Sequence, residues 1–278
     1  MTFSIVDRIT EIEPGTRARG HFTVPQDAPH LSPWLVAEAV GQLAAWAAMA
    51  KMDFRIRPVA GITGEVKIFQ TVVPTARLNL EANLESCESD AVLYGGRGHV
   101  GGDPIIELNR CVGPMLPMED FDDPDVVRHY FELLCGEGAP FPGFSSDGIP
   151  SPEVTLIDHD PGKRTRAEMR IPESAQLFAD HFPRKPIFPG TLLLHAQVQL
   201  ALRIALEAID PSKSTLLRPT RISNVKLRSF VDPGTALEMS AEVIATSSDS
   251  VTLALGAEAG GQRVSTARME TGLGGHRD

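Results

Sequence analysis

The chain has 278 residues, and its 26 Lys and Arg against 36 Asp and Glu give a formal net charge of −10. A hydrophobic share of 42% with 22% charged residues argues against a largely disordered chain, and the length suits two modest domains or one large one. The acidic balance argues against general nucleic-acid binding, which needs a basic surface. The three cysteines, Cys87, Cys111 and Cys135, form no CxxC pair and read as thiols of a reducing compartment, the cytoplasm. Charges at Asp7, Arg8 and Glu11 leave no apolar leader near the start, so no secretory signal is expected.

A short strand is expected first, over residues 16–24. Ser32-Pro33 then supplies a cap and a first helical residue. The helix that follows is Ala-rich and apolar on nearly every face, as for a helix wrapped by other structure. It carries Glu38 and Gln42, which makes it a poor membrane span. Segments 66–73, 76–85 and 91–100 alternate apolar and polar residues, the signature of half-buried antiparallel strands. Residues 115–150 read as a linker. Its middle spaces apolar residues for one helix capped by Asp122 or Asp123, and its end is a Gly/Pro/Ser-rich strap. A second strand is expected over 163–171 and a second long helix from Gly190. Alternating segments follow at 225–231, 236–244 and 250–258.

The two series are copies of one module. Residues 65–84 align with 224–243 at an offset of 159, and 11–25 with 158–172 at 147. EAVGQ (38–42) falls opposite HAQVQ (195–199) at 157. The offset grows by ten between Pro25 and Glu38, so the first copy is ten residues shorter there. This organisation implies a first module over 1–114, a linker over 115–150 and a second module over 151–278. Each would be an antiparallel sheet wrapped around one helix, the two sheets joined edge to edge.

Residues 180–199 read DHFPRKPIFPGTLLLHAQVQ. His181-Phe182-Pro183, Pro186, Pro189-Gly190, Leu192 and Gln199 resemble the signature of the hot-dog-fold 3-hydroxyacyl-[acyl carrier protein] dehydratases, in their tandem, double hot-dog form. The resemblance implies an α+β fold in which the two modules form an internal pseudo-dimer. In that family a histidine from one subunit faces a helix carboxylate from the other. Here the carboxylate position of the second copy is His195. The first copy keeps the carboxylate, Glu38, but lacks the segment that would carry its own His-Phe-Pro loop. The resemblance therefore implies one composite site per chain, with His181 facing Glu38, and a dead opposite site containing His195.

Dehydration of a 3-hydroxyacyl thioester removes a proton from C2 and protonates the hydroxyl leaving C3. A histidine can serve as the base and a glutamic acid as the proton donor. The resemblance implies these roles for His181 and Glu38, the backbone N–H of Gly190 for the thioester oxygen, and supporting or substrate-binding places for Phe182, Pro183, Phe188, Pro189, Gln42 and Gln199. It implies no cofactor and no metal, the substrate riding on the phosphopantetheine arm of an acyl carrier protein. Arg184 and Lys185, basic residues on an acidic chain, are candidates for docking that carrier. Two such chains could pair further as a homodimer. The Asp158-His159-Asp160 cluster precedes the turn pair Pro161-Gly162 and reads as a solvated loop. The competing readings are a hot-dog thioesterase, a non-catalytic acyl-binding module of a synthase, and a dehydratase that also isomerises the double bond.

Overall fold

The computed structural model describes residues 3–26, 31–137, 144, 148–210 and 217–273. A hairpin, β1 (Arg8–Glu13) and β2 (Arg17–Thr23), precedes helix α1 (Pro33–Lys51). Strands β3 (Ile56–Pro58), β4 (Ile62–Ile68), β5 (Arg77–Cys87), β6 (Ala91–Val100) and β7 (Asp103–Pro117) follow, and then helix α2 (Pro124–Cys135). The pattern returns with β8 (Val154–Asp160), β9 (Arg164–Arg170), helix α3 (Gly190–Ala208), β10 (Leu217–Leu227), β11 (Ala236–Thr246), β12 (Val251–Ala259) and β13 (Gln262–Leu273).

All pairings are antiparallel, and the strands lie in the order β1-β2-β5-β6-β7-β4-β10-β13-β12-β11-β9-β8, with β3 on β7. The two halves meet at β4 and β10. There Val66 faces Ile222 and Thr63 faces Val225. At the offset of 159, Val225 is the counterpart of Val66 and Ile222 that of Thr63, so the seam repeats itself about an internal two-fold axis. Glu65 and Arg221 form an ion pair across it.

Period-two alternation dictates which strand face meets the helices. Leu78, Leu80, Ala82 and Leu84 of β5 turn inward on α1, and Leu237, Met239 and Ala241 of β11 on α3. Helix α1 begins where Ser32 Oγ accepts the Trp34 N–H and Pro33, with no N–H of its own, needs no acceptor. It ends where Asp53 and Phe54 take positive φ. Its buried stripe includes Val36, Ala39, Val40, Leu43 and Ala47. A Cβ on Gly96 or Gly98 of β6 would collide with Val40 or Val36, so these glycines allow the helix to lie close on the sheet. Each fully buried Val or Leu side chain of this kind contributes about 1.5–3 kcal/mol.

Four differences from the sequence reading have local causes. Each half opens with a two-stranded hairpin rather than one strand, because the charged segments 8–13 and 154–160 pair on one side only and show little alternation. The Asp158-His159-Asp160 cluster is thus the end of β8. Strands β7 and β13 were missed because several of their inward positions are polar or small: Ser265 and Thr271 are buried in β13, and Gly113 of β7 packs under Val59 and Pro58. Finally, β7 runs to Pro117 by pairing with β3, past the expected boundary at 114.

Helix α2 is capped by Asp123, whose Oδ1 accepts the Asp125 N–H at 3.0 Å. Its buried residue Val127 packs with Met49, Phe54 and Met118 at the far end of α1. Phe131 meets the rings of Trp46 at 6.0 Å and Phe54 at 5.2 Å, and Arg128 pairs with Asp53 at 2.8 Å. The linker helix therefore closes the C-terminal end of α1.

Candidate active site

The segment after β9 makes a 3₁₀ turn at Gln176–Ala179 and then closes around His181. The His181 N–H donates to the Leu177 carbonyl at 2.8 Å, and the Ile187 N–H donates to the His181 carbonyl at 2.9 Å. Pro183, Pro186 and Pro189 carry no N–H to satisfy, which suits a tight loop with few ladder bonds. The Phe188 N–H donates to the Val231 carbonyl at 2.8 Å and anchors the loop beyond β10. The imidazole is held from three sides. Its Nδ1 lies 2.9 Å from the Ile187 carbonyl oxygen, which can only accept. The ring of Phe3 meets it edge-on at 5.6 Å, and Phe182 stacks on it at 4.1 Å. Burial pushes the His181 pKa below the ordinary imidazole value, and the negative charge of Glu38 offsets part of this. The neutral ring with its proton on Nδ1 leaves a lone pair on Nε2.

Glu38 comes from α1, in the other copy. Its Oε2 accepts the Thr191 hydroxyl at 2.8 Å, and its Oε1 accepts the Gln42 amide at 3.1 Å. Gln42 is itself fixed: its Nε2 donates to the Phe3 carbonyl at 3.0 Å and its Oε1 accepts the Ile5 N–H at 2.9 Å. Thr191 follows Gly190, the first residue of α3. The first bonds of that helix run from the Leu192 and Leu193 N–H groups to the Pro189 carbonyl, so the Gly190 N–H stands outside the ladder at the positive end of the helix. A Cβ at Gly190 would meet a terminal methyl of Leu227 of β10, so that side chain or the start of the helix would have to move.

His181, Glu38, Gly190, Thr191, Phe182 and Gln42 line one cavity of about 260 Å³, together with Phe188. It continues along α1 past Gly41 and Ala45 to Trp46 and Met49, where Val127 and Tyr130 of α2 form its end. Arg57 of β3 also lines it. The guanidinium lies over the Phe182 ring at 3.8 Å, so Phe182 is held between a cation and the imidazole. Burial pushes the Arg57 pKa down to about 10, against the charges of Asp122 and Glu38, and its buried Nε has no partner among the described residues. Burial also raises the pKa of Asp122, opposed by hydrogen bonding from the Asp123 N–H and by Arg57.

The other sequence candidates lie elsewhere. Pro183 is exposed, and Pro189 is buried at the start of α3, outside the cavity wall. Gln199 does not face this cavity. It is on the opposite side of α3, exposed, beside a second cavity that also contains His195. Arg184 is engaged within the chain: its Nη2 pairs with Asp123 at 3.0 Å and its Nη1 donates to the Glu119 carbonyl at 3.2 Å. The Lys185 ammonium lies over the rings of Phe230 at 4.7 Å and Phe121 at 5.4 Å. These residues clamp the loop to the linker, a contact invisible in sequence because 61 positions separate Arg184 from Asp123. In the first copy, residues 24–32 join β2 to α1 where 171–189 join β9 to α3, and 27–30 lie outside the described residues. Arg57 and Thr191 were missed. Thr191 sits beside the Pro-Gly pair and could have been noticed; nothing local marks Arg57. Among the described residues no cluster of His, Cys, Asp and Glu could hold a metal ion, and no helix is long and apolar enough to cross a membrane.

Residues 158–268, which include the His181 loop and α3, match the model of the ApeI-like dehydratases. The 3-hydroxyacyl-[acyl-carrier-protein] dehydratase FabZ of Clostridium acetobutylicum is 33% identical over 95 residues, 33% of this chain and 67% of that protein. The FabZ of Bartonella bacilliformis is 30% identical over 114 residues, 41% of this chain and 74% of that protein. The chain spans 60% of the FabZ of Variovorax paradoxus, at 29% identity. Among solved structures, a putative oleoyl thioesterase from Lactobacillus plantarum superposes with a TM-score of 0.61 at 8% identity, covering 94% of this chain and 98% of that one. The tesB protein of Mycobacterium avium subs paratuberculosis gives 0.58 at 11%, covering 96% of each. At such identities the structural likeness shows the fold alone, a tandem hot-dog. With the fold, the loop signature and the sequence relatives in agreement, the chain belongs to the FabZ-like 3-hydroxyacyl-[acyl-carrier-protein] dehydratase family.

Proposed function

We propose that the chain dehydrates (3R)-3-hydroxyacyl thioesters, carried on an acyl carrier protein, to trans-2-enoyl thioesters at one composite site per chain. The observation that carries this reading is the Thr191–Glu38 hydrogen bond. It ties the carboxylate of the first copy to the helix end that follows the histidine loop of the second, on the wall of one cavity.

In this reading His181 Nε2 takes the C2 proton. The electron pair moves towards the thioester, whose oxygen receives the Gly190 N–H. Collapse of the enolate forms the C2=C3 bond as the hydroxyl leaves C3 with a proton from Glu38, as water. The proton on His181 then returns to Glu38, which balances the cycle and needs no cofactor. The apolar extension towards Trp46, Met49 and Tyr130 takes the acyl chain, and Glu38 is oriented for its step by Thr191 and Gln42.

The test follows enoyl thioester formation by its ultraviolet absorbance. Glu38→Gln should lose a factor of roughly 10²–10⁴ in rate, and His181→Ala should abolish turnover with the fold intact. Near-normal dehydration by either variant overturns the assignment. The thioesterase alternative predicts free thiol instead of enoyl product, and the same reaction mixture distinguishes the two.

A further inference from the structure

A second cavity, of about 470 Å³, lies beside the first, and Trp34 and Phe188 line both. It is the counterpart of the first under the repeat: α3 presents His195 and Gln199 to it, where α1 presents Glu38 and Gln42. Its volume is that of a small-molecule site. No Asp or Glu among the described residues lines it, so the proton donor proposed for dehydration has no equivalent there.

The polar groups it does have form a row. His195, Gln199 and Arg203 are successive i, i+4 positions on one face of α3, about 6 Å apart along the axis. His195 Nδ1 lies 3.2 Å from Ser32 Oγ. That oxygen already accepts the Trp34 N–H at 3.4 Å, so its hydroxyl proton is the one left to give to the ring. Burial holds the His195 pKa below the usual imidazole value, so the ring is neutral and its own proton sits on Nε2, a donor with no partner among the described residues. Gln199 is an exposed amide. Arg203 is exposed and has no ion-pair partner among the described residues; it stands where α1 has Trp46, which belongs to the closed end of the first cavity. The remaining wall is mostly apolar, with Leu31, Leu35, Leu192 and Leu200, and also carries Ser151.

We propose that this cavity is a non-catalytic holding site for an acyl-phosphopantetheine arm. The acyl chain lies among the leucines, the thioester carbonyl accepts from His195 Nε2, an amide of the arm meets Gln199, and the phosphate meets Arg203 at the mouth. The spacing of donor, amide and cation along α3 follows the order of groups along such an arm. The proposal shares the substrate class of the dehydratase reading but does not depend on turnover.

The probe is dodecanoyl-4′-phosphopantetheine thioester, which has no 3-hydroxyl to eliminate, titrated calorimetrically into the full chain. Two equivalents should bind. Ala196→Trp, which fills the second cavity, should leave one equivalent and retain dehydration. Arg203→Ala, an exposed change that spares the fold, should weaken the second site about tenfold or more for this probe. It should leave unchanged the binding of the same thioester without its phosphate. One equivalent in the wild-type chain, or two that persist in Ala196→Trp, overturns the proposal. So does a second site that prefers free dodecanoate, which would make it a fatty-carboxylate site. Failure of dehydration with two equivalents bound refutes the catalytic reading and leaves this one standing.

Discussion

Replacing Arg57 by Met removes the cation that faces His181 across Phe182. The guanidinium carbon is 3.8 Å from the Phe182 centroid, and that centroid is 4.1 Å from the imidazole centroid, so charge and ring are no more than about 8 Å apart. At an effective dielectric constant of about 20, a unit charge at 8 Å acts with about 2 kcal/mol, equivalent to about 1.5 pKa units. Water in the cavity screens part of this, so a shift of about 0.5–1.5 units is expected. Arg57 disfavours the protonated ring. Its removal therefore raises the His181 pKa, so the ring takes up its proton at a higher pH and the neutral base is lost sooner as the pH falls. In the wild-type protein kcat/KM should fall on the acid side below the ordinary imidazole value of about 6.5. In Arg57→Met that limb should move upward, with a larger rate loss at pH 6 than at pH 8. Arg57→Lys keeps the charge and should leave the limb near its wild-type position. The fold should tolerate the apolar replacement, since a buried charge with an unpartnered Nε contributes little net stability. The reasoning is refuted if the acid limb of Arg57→Met stays in place or moves down, or if Lys moves it as far as Met.

Gly190→Ala should displace Leu227 or the start of α3, costing about 1–3 kcal/mol in denaturant unfolding as overpacking does. It should also reduce kcat by moving the N–H proposed for the thioester oxygen. Leu43→Ala in the fully buried stripe of α1 should lower stability by about 2–5 kcal/mol in the same measurement. His195→Glu restores a carboxylate to the second cavity but not a facing histidine. Single-turnover product should therefore remain one per chain, and two would refute the assignment of a single catalytic site.

The repeat was legible because residues at strand seams and helix cores recur in kind even where identity is lost. Aligning EAVGQ with HAQVQ put Glu38 at the helix carboxylate position, and the subunit-crossing geometry implied by the dehydratase resemblance put it opposite the loop of the other half. The His181 loop was legible because three prolines and a glycine fix a backbone shape that few sequences share. What escaped were contacts between segments distant in the chain. Arg57 sits on a three-residue strand and gains its meaning only when Phe182 of the other half packs beneath it. Arg184 read as a free basic residue, yet the linker supplies Asp123 and the Glu119 carbonyl. Gln199 was carried over by its spacing from the loop. But α3 serves two cavities from different faces, and the 3.6-residue period turns position 199 towards the second one.

The seam between β4 and β10 also determines how the protein responds to concentration. A cavity built by two separate chains is lost on dilution, because the fraction of paired chains falls with the total. Here both walls belong to one polypeptide, joined by β7 and α2 and closed along Val66–Ile222. A covalent tether of this kind holds the partners at an effective concentration on the order of millimolar at any bulk concentration. Output per molecule should therefore stay constant as the protein is diluted, and each half can acquire substitutions that a symmetric pair would have to bear twice.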